Sequence, residues 1–407
     1  MRRGFSILAL ALALLLAMTG CSMVELNEER DGQTVVAVVG GEEIYKKDFK
    51  ETLNRTLMQS GIDPESTDSG VAEYVSYIST TTLNALVNQK IMLIKAKEMG
   101  LDTLTEEEQA TVQASYDDTI ATLKESAEAT ITQQNTDNNV TMSEAEFNTA
   151  VDKEIDAAFE AMYFTRESYM DYLELYAIMD KVQDKVTEGL APTEEQIQTA
   201  YDEKVAAAKE DYEETPKNYE SAFVNGSVIY YVPDGVRVVQ HILIGLTDEQ
   251  QKELSTLRSE DKNDEADAKR EEYLATIKAE ADEVLGKISA DHANFLDVMK
   301  ENSDDTASAD GMEFAVAPGG GYYAEDFMNA ALAMKEVGEM SGLVASDFGY
   351  HIMLCTQIPT SGAVPLGDVK DSISEQLLSE MQTEKLTETL ATWTEELSVK
   401  TYTDRLS

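Results

Sequence analysis

Cysteine and histidine are scarce in this chain of 407 residues. The cysteines are Cys21 and Cys355, and the histidines are His241, His292 and His351. Neither residue type clusters at the spacing of a zinc site, and no Cys-x-x-Cys redox motif occurs. Cys355 lies in an apolar run and is expected to be a small buried side chain without a disulfide partner. The sequence therefore gives no indication of a metal or another cofactor.

Basic residues are also few, with 32 lysines and arginines against 78 aspartates and glutamates. The formal net charge is −46. A surface so acidic repels the phosphates of DNA and RNA, so we expect no nucleic-acid partner. The hydrophobic content of 43% and the charged content of 27% are ordinary for a folded protein. Composition therefore excludes one class of partner and leaves the activity open.

The apolar run at the start of the chain is too short to span a membrane. Arg2 and Arg3 precede an almost unbroken apolar stretch from Phe5 to Met18. A membrane-spanning helix needs about 20 such residues, whereas the core of a secretory signal is shorter. The pattern predicts a signal peptide over residues 1–20 and an exported protein.

The junction after this run carries a second signal. Thr19-Gly20-Cys21 resembles a bacterial lipoprotein box, in which a small residue precedes a cysteine that is lipidated before cleavage. The resemblance implies lipidation at Cys21 and an extracytoplasmic protein that its lipid anchors to the cell membrane. Residues 21–34 would then be an acidic tether. The alternative is an ordinary secretory signal with an incidental cysteine.

Helical patterns dominate the first half of the chain. The β-branched run Val35–Val39 ends at two glycines and predicts a strand with a hairpin turn. Residues 45–210 repeat apolar residues at helical spacing, and the polar run Gln133–Asn139 is predicted to be a loop. Capping boxes, in which Ser or Thr precedes Glu or Gln by three residues, mark helix starts at Thr105/Glu108, Ser143/Glu146 and Thr193/Gln196.

Several aromatic residues lie close together in this helical part: Tyr163, Phe164, Tyr169, Tyr172 and Tyr176. We expect them to form helix core, and the alternative is an exposed cradle for apolar polypeptide. A helical segment of this length also argues against a solute-binding lipoprotein, which would show two lobes of alternating strands and helices.

The pattern changes to mixed strands and helices near Tyr230. Val236–Ile244 and Gly349–Cys355 are rich in β-branched and apolar residues and predict strands. Residues 247–287 are predicted to form one long charged helix, and residues 367–397 an amphipathic helix. The chain is therefore predicted to belong to the α+β class, with a mostly helical first part.

Some segments of this second part resemble, in chain order, the signatures of parvulin peptidyl-prolyl isomerases: Val236–Ile244, Ser303–Gly311, Val337–Gly342 and Asp347–Ile352. The resemblance covers about residues 236–358. It implies a small antiparallel sheet flanked by helices and an enzyme that speeds cis-trans isomerisation of X-Pro bonds without a cofactor. Unaided, that rotation takes tens to hundreds of seconds, because amide resonance sets a barrier of about 18–20 kcal/mol.

The same resemblance implies roles for individual residues. His241, Asp305 and His351 would be catalytic, with the histidines paired on adjacent strands and Asp305 facing the twisting carbonyl. A one-residue shift would put Asp304 in that place instead. The implied substrate-binding residues are Phe327, Tyr322, Tyr323, Ser346, Phe348 and Met312.

Two departures from the parvulin pattern leave an alternative open. Glu313 stands where these enzymes place an apolar residue, and Gly319–Gly321 adds length beside the proline pocket. The alternative is a holding chaperone whose parvulin domain binds peptide with little or no isomerase activity.

The flanking segments Val36–Glu42, Leu86–Gly100 and Thr193–Gln196 resemble the helical chaperone part of the exported PrsA/SurA foldases. That family implies unfolded or nascent exported polypeptides, with proline-containing segments, as partners. It also implies this domain order: signal peptide 1–20, lipid-anchored tether 21–34, helical chaperone domain 35–232, inserted parvulin domain 233–360, and C-terminal helix 361–407 packing back on the chaperone domain.

Overall fold

The computed structural model describes residues 28–62, 69–306 and 310–406. The predicted signal peptide, Cys21 and part of the predicted tether lie outside the described residues. The chain divides into two compact units. Unit 1 comprises the chain up to Leu190 and from Gln382 onward, and unit 2 comprises Ala191–Met381. No helix within the described residues combines the length and apolarity that crossing a bilayer requires.

The described helices are α1 (Glu28–Gly32), α2 (Lys46–Gln59), α3 (Ser69–Met99), α4 (Glu106–Asn138), α5 (Glu144–Ala161), α6 (Arg166–Thr187), α7 (Glu194–Glu214), α8 (Pro216–Val224), α9 (Asp248–Ser259), α10 (Asn263–Lys287), α11 (Phe295–Asn302), α12 (Glu325–Ala333) and α13 (Leu366–Glu396). The described strands are β1 (Val35–Val39), β2 (Glu42–Tyr45), β3 (Tyr231–Val232), β4 (Arg237–Gly245), β5 (Phe314–Val316), β6 (Val344–Ser346), β7 (Gly349–Gln357), β8 (Gly362–Ala363) and β9 (Lys400–Thr401).

Unit 1 is built around a small sheet in which β1 pairs antiparallel with β2 and β9. Gly40 and Gly41 form the turn between β1 and β2 with φ values of 59° and 89°, a conformation that favours glycine. The predicted strand and hairpin turn are confirmed. Phe49 of α2, Ile91 of α3 and Trp393 of α13 are buried against this sheet.

Two helices of unit 1 begin at predicted capping boxes, and one of them does not end as predicted. The capping boxes at Thr105 and Ser143 are both formed. The prediction of a loop over Gln133–Asn139 is wrong, because α4 continues to Asn138. Polar residues sustain the helix here, and the Gln133 side chain donates to Asp137, four residues on, at 2.9 Å.

The aromatic residues of α6, and of the short segment just before it, lie partly in the core of unit 1. Phe164 and Tyr169 pack against the buried Phe159 cluster. Tyr163 and Tyr176 are 38% and 43% exposed. The group therefore combines the expected helix core with exposed rings at its edge.

Unit 2 contains a four-stranded sheet in the order β5-β4-β7-β6, with every neighbouring pair antiparallel. One face buries Ile242 and Ile352 against α10 and α11. The opposite face buries Met353, Cys355 and Phe327 of α12. Cys355 is buried, as expected. A small antiparallel sheet covered by helices is the predicted arrangement, and the α+β class is confirmed.

The predicted helix over residues 247–287 is two helices. The chain turns between α9 and α10, where Asp261 adopts φ 58°. Leu254 and Leu257 of α9 pack with Leu274 of α10. The turn therefore folds one charged segment back on itself and buries its apolar residues between two helices.

Unit 2 extends beyond the predicted parvulin domain at both ends. β3 pairs antiparallel with β8, Tyr231 opposite Ala363. Ile197 of α7 packs against Val369 and Ile373 of α13. The contacts thus divide the chain at 190/191 and 381/382, and the boundaries at 232/233 and 360/361 stay a prediction.

Candidate active site

The two central strands of unit 2 bring His241 and His351 together. In the β4–β7 pairing, His241 lies opposite Met353, and His351 lies opposite Leu243. Side chains two residues apart on a strand share a face, so both imidazoles lie on the same face as diagonal neighbours. Their Nδ1 atoms are 3.4 Å apart, and both residues are 5% exposed.

The acidic loop after α11 brings a carboxylate to this pair. Asp305 Oδ2 lies 3.0 Å from His241 Nε2. Asp304 has another role: its backbone N–H donates to Leu243 O at 2.8 Å, and its carboxylate accepts from Gly245 N at 2.8 Å. The structure thus puts Asp305 beside the histidines, while Asp304 fixes the loop to β4.

Ser346 completes the polar chain from β6. Its Oγ accepts from the Phe348 N–H at 3.0 Å and lies 2.8 Å from His351 Nε2. Ser346 is 1% exposed. Its hydroxyl therefore holds the His351 ring and the β6–β7 turn together.

Burial and the neighbouring His241 lower the pKa of His351 to about 3. A neutral His351 carries one N–H, so one of its ring nitrogens donates and the other accepts. The Asp305 carboxylate faces His241. The carboxylate only accepts, so His241 Nε2–H donates to it. When His351 Nδ1–H donates to His241 Nδ1, the Ser346 hydroxyl donates to His351 Nε2, and with the other tautomer of His351 both bonds reverse. These hydrogen bonds hold both rings in a fixed orientation.

Aromatic side chains cover the histidine pair. The Phe327 ring lies 5.2 Å from each imidazole, centroid to centroid. Phe314 lies 4.9 Å from the His241 ring, and Tyr323 lies 5.4 Å from Phe327. Phe327 is 3% exposed, so it is core of this unit as well as wall of the site.

The remaining predicted binding residues lie at the edge of this aromatic group. Met312 is half-buried against the Phe327 cluster. Tyr322 and Phe348 are 44% and 48% exposed. Beside Phe348, the β6–β7 turn borders a cavity of about 880 Å³ whose lining includes Arg258. An extended peptide at the edge of the site could therefore meet exposed aromatic surface.

Glu313 does not face the histidines. Its carboxylate accepts from Gln357 Nε2 at 2.8 Å, and the next residue, Phe314, points to His241. Sequence reasoning missed Phe314 as a wall of the site. The short apolar run Phe314–Val316 could have found it, since such a run is typical of a fully buried strand.

Two family comparisons match separate parts of the chain. Residues 241–357 match the PPIC-type PPIASE domain, described as a rotamase. Residues 1–118 match the SurA-like N-terminal domain. The first match contains both histidines, Asp305 and Phe327. The domain is a parvulin-type peptidyl-prolyl cis-trans isomerase.

Relatives match over nearly the whole chain. A foldase protein PrsA from Clostridium botulinum (strain 657 / Type Ba4) is 26% identical over 398 residues, which covers 96% of this chain and 95% of that protein. One from Clostridium kluyveri is also 26% identical, over 95% and 94% of the two chains. A crystal structure of PrsA from Streptococcus pneumoniae aligns with 90% of this chain and 94% of its own, at 14% identity and a TM-score of 0.30.

The two domain matches and the relatives together support a PrsA/SurA-like foldase with a parvulin domain. The chain is a peptidyl-prolyl isomerase and foldase chaperone, and the reading as a holding chaperone with little isomerase activity is not favoured. The relationship also supports an extracytoplasmic location.

Proposed function

We propose that the chain isomerises X-Pro bonds of exported polypeptides at the site built by His241, His351 and Asp305. The observation that carries the proposal is the histidine pair under Phe327, with Asp305 bound to one ring and Ser346 to the other. No bond is made or broken in this reaction, so the site needs only to bind the twisted amide better than either planar form.

Each part of the site has a role in that difference in binding. The aromatic group of Phe327, Tyr323, Phe314 and Met312 offers an apolar surface to the proline ring, with Tyr322 and Phe348 at its exposed edge. Twisting removes amide resonance and changes the charge on the carbonyl oxygen and the nitrogen. The fixed chain of Ser346, the histidines and Asp305 supplies oriented dipoles beside that change.

The polypeptide partners and the membrane attachment are part of the same proposal. The exposed rings Tyr163 and Tyr176 of unit 1 would contact apolar segments of unfolded exported chains. Lipidated Cys21 would hold the protein at the outer face of the cytoplasmic membrane. A Cys21→Ala chain should leave the membrane fraction or stay unprocessed, and unchanged anchoring would contradict this part.

The experiment for the site compares isomerisation of an Ala-Pro or Leu-Pro peptide by the full chain and by Asp305→Ala. We expect kcat/KM to fall by about tenfold or more, because a charged partner of His241 is lost from a partly buried network. Asp305 is on a loop, so the melting temperature should change little.

The matched control is Asp310→Ala, an exposed aspartate of the same acidic loop, which should keep the wild-type rate. An Asp305→Ala chain as active as the wild type would disprove the role of Asp305. A wild-type chain without any rate would disprove the isomerase function and favour peptide holding.

A further inference from the structure

Helix α8 carries a buried carboxylate that the site described above does not use. Glu220 is 0% exposed, and no ion pair joins it to any of the described residues. Taking an unpaired carboxylate out of water is costly unless hydrogen bonds replace its hydration. The surroundings of Glu220 must therefore supply donors.

The donors are backbone N–H groups of one glycine-rich loop. Glu220 Oε1 accepts from Ala317 N at 3.0 Å, and Oε2 accepts from Gly321 N at 3.0 Å and Tyr322 N at 2.9 Å. Hydrogen bonds to a charged acceptor are about twice as strong as neutral ones. The carboxylate thus ties both ends of loop 317–322, which joins β5 to the tyrosines of the site.

The glycine in the middle of this loop makes room for the carboxylate. A Cβ atom on Gly320 would overlap the carboxylate group of Glu220. Gly320 itself has no positive φ, so alanine could adopt its backbone conformation. The space that the Glu220 carboxylate needs, and not the backbone conformation, explains why residue 320 is glycine. The residues Gly319–Gly321, which depart from the parvulin pattern, therefore fit around Glu220.

Loop 317–322 ends at the aromatic side chains that cover the histidine pair. Tyr322 contacts Tyr323 at 5.1 Å between centroids, and Tyr323 contacts Phe314 and Phe327. The Tyr323 hydroxyl is buried and makes no hydrogen bond with any residue that the structure describes, so among these residues no polar contact fixes the end of that ring. The backbone of the loop sets where these two rings stand.

We propose that Glu220 is a positioning residue for substrate binding, which fixes loop 317–322 so that Tyr322 and Tyr323 stand against the proline-binding side of the site. The inference rests on the proposed isomerase function. It also assigns to the isomerase a residue outside the predicted domain 233–360, on a helix that precedes it.

The test uses the full chain and two ways of disturbing the same contact. Glu220→Gln keeps the shape but replaces an acceptor oxygen by a donor, and Gly320→Ala pushes the carboxylate away. The matched controls are Glu214→Gln, an exposed charge just before α8, and Gly286→Ala, whose Cβ would meet open space. We expect both test variants to raise KM about three- to tenfold with kcat within about twofold, and both controls to keep wild-type values.

A readout independent of activity follows the loop itself. The amides of Gly321 and Tyr322 should exchange with deuterium faster in Glu220→Gln than in the wild type. In a Glu220→Ala background, Gly320→Ala should add almost nothing to KM, because no carboxylate remains to be displaced.

The outcomes separate this inference from the proposed function. An active wild type with unchanged KM in Glu220→Gln and Gly320→Ala would overturn the positioning role and leave the isomerase standing. A lower melting temperature with unchanged KM would also overturn it, since Glu220 would then be only structural. A wild type without isomerisation would overturn both.

Discussion

At the scale of single residues, burial of the His351 imidazole sets its protonation state. His351 is held between Ser346 and His241 with almost no exposure to water. Its pKa falls to about 3 because burial and the neighbouring ring both disfavour the charged form. The protein therefore keeps His351 neutral, and acid should act on the folded state through this residue.

The sign of that effect follows from proton counting. An unfolded chain protonates His351 near pH 6.5, whereas the folded chain does so only near pH 3. Between these values the unfolded state holds one more proton, so stability rises with pH. As pH falls from about 6.5 toward 3, His351 should remove up to about 1.4 kcal/mol of unfolding free energy per pH unit.

The measurement is urea unfolding of the wild type and of His351→Gln at several pH values from 4 to 7. The variant is expected to lose stability less steeply with acid than the wild type, by up to one proton's worth of slope. Parallel slopes for the two chains would refute the neutral, buried His351.

The residue types of the site could be predicted from the sequence, but how deeply each side chain is buried could not. His241, His351 and Asp305 stand in segments that resemble parvulin signatures, and the structure brings them within hydrogen-bond distance. Glu220 sits in a charged helical stretch, where a glutamate predicts a solvated face. Only the folded loop shows that its carboxylate is buried among N–H donors.

At the scale of elements, one arginine ties a helix to the strand turn of the site. Arg258 of α9 donates to both oxygens of Asp347, from Nε at 2.9 Å and from Nη2 at 3.1 Å. It also reaches Asp267 of α10 at 2.7 Å. Asp347 precedes the exposed Phe348, so this fork joins α9, α10 and the β6–β7 turn.

Arg258→Lys should weaken that junction, because an ammonium cannot bind a carboxylate with two parallel N–H groups. We expect unit 2 to lose about 1 kcal/mol of unfolding free energy, and added salt to shrink the difference. Amide exchange of β4 and β7 measures it. The control is Lys262→Met, an exposed charge in the α9–α10 turn, and an equal loss there would argue against a special role for the fork.

Helix starts with a capping box could be predicted from the sequence, whereas helix ends could not. The capping boxes at Thr105, Ser143 and Thr193 form because their hydrogen bonds are local to four residues. The run Gln133–Asn139 was wrongly predicted as a loop because its polarity describes solvent exposure and not backbone conformation. The turn at Asp261 escaped prediction because neither glycine nor proline marks it.

At the scale of the whole molecule, each of the two units has its own reporter signal. Trp393 is the single tryptophan of the chain, and it is buried in the core of unit 1. Isomerase activity belongs to unit 2. Fluorescence and activity should therefore follow different units during unfolding.

Phe49→Ala, which empties a fully buried site in unit 1, should lower the stability seen by Trp393 fluorescence by about 3–5 kcal/mol. The denaturant midpoint of isomerase activity should stay where it is. Ile242→Ala, in the core of unit 2, should do the reverse. Joint shifts of both signals in both variants would show a single cooperative unit instead.

The two segments that lead into and out of the four-stranded sheet of unit 2 contact each other. β3 pairs with β8, α7 packs against α13, and Lys370 of α13 reaches Glu194 of α7 at 2.8 Å. Tension applied through the backbone at residues 191 and 381 would load these contacts first. These contacts would break before the force reached β4 and β7. A client polypeptide that pulls on the foldase would therefore leave the histidine pair in place.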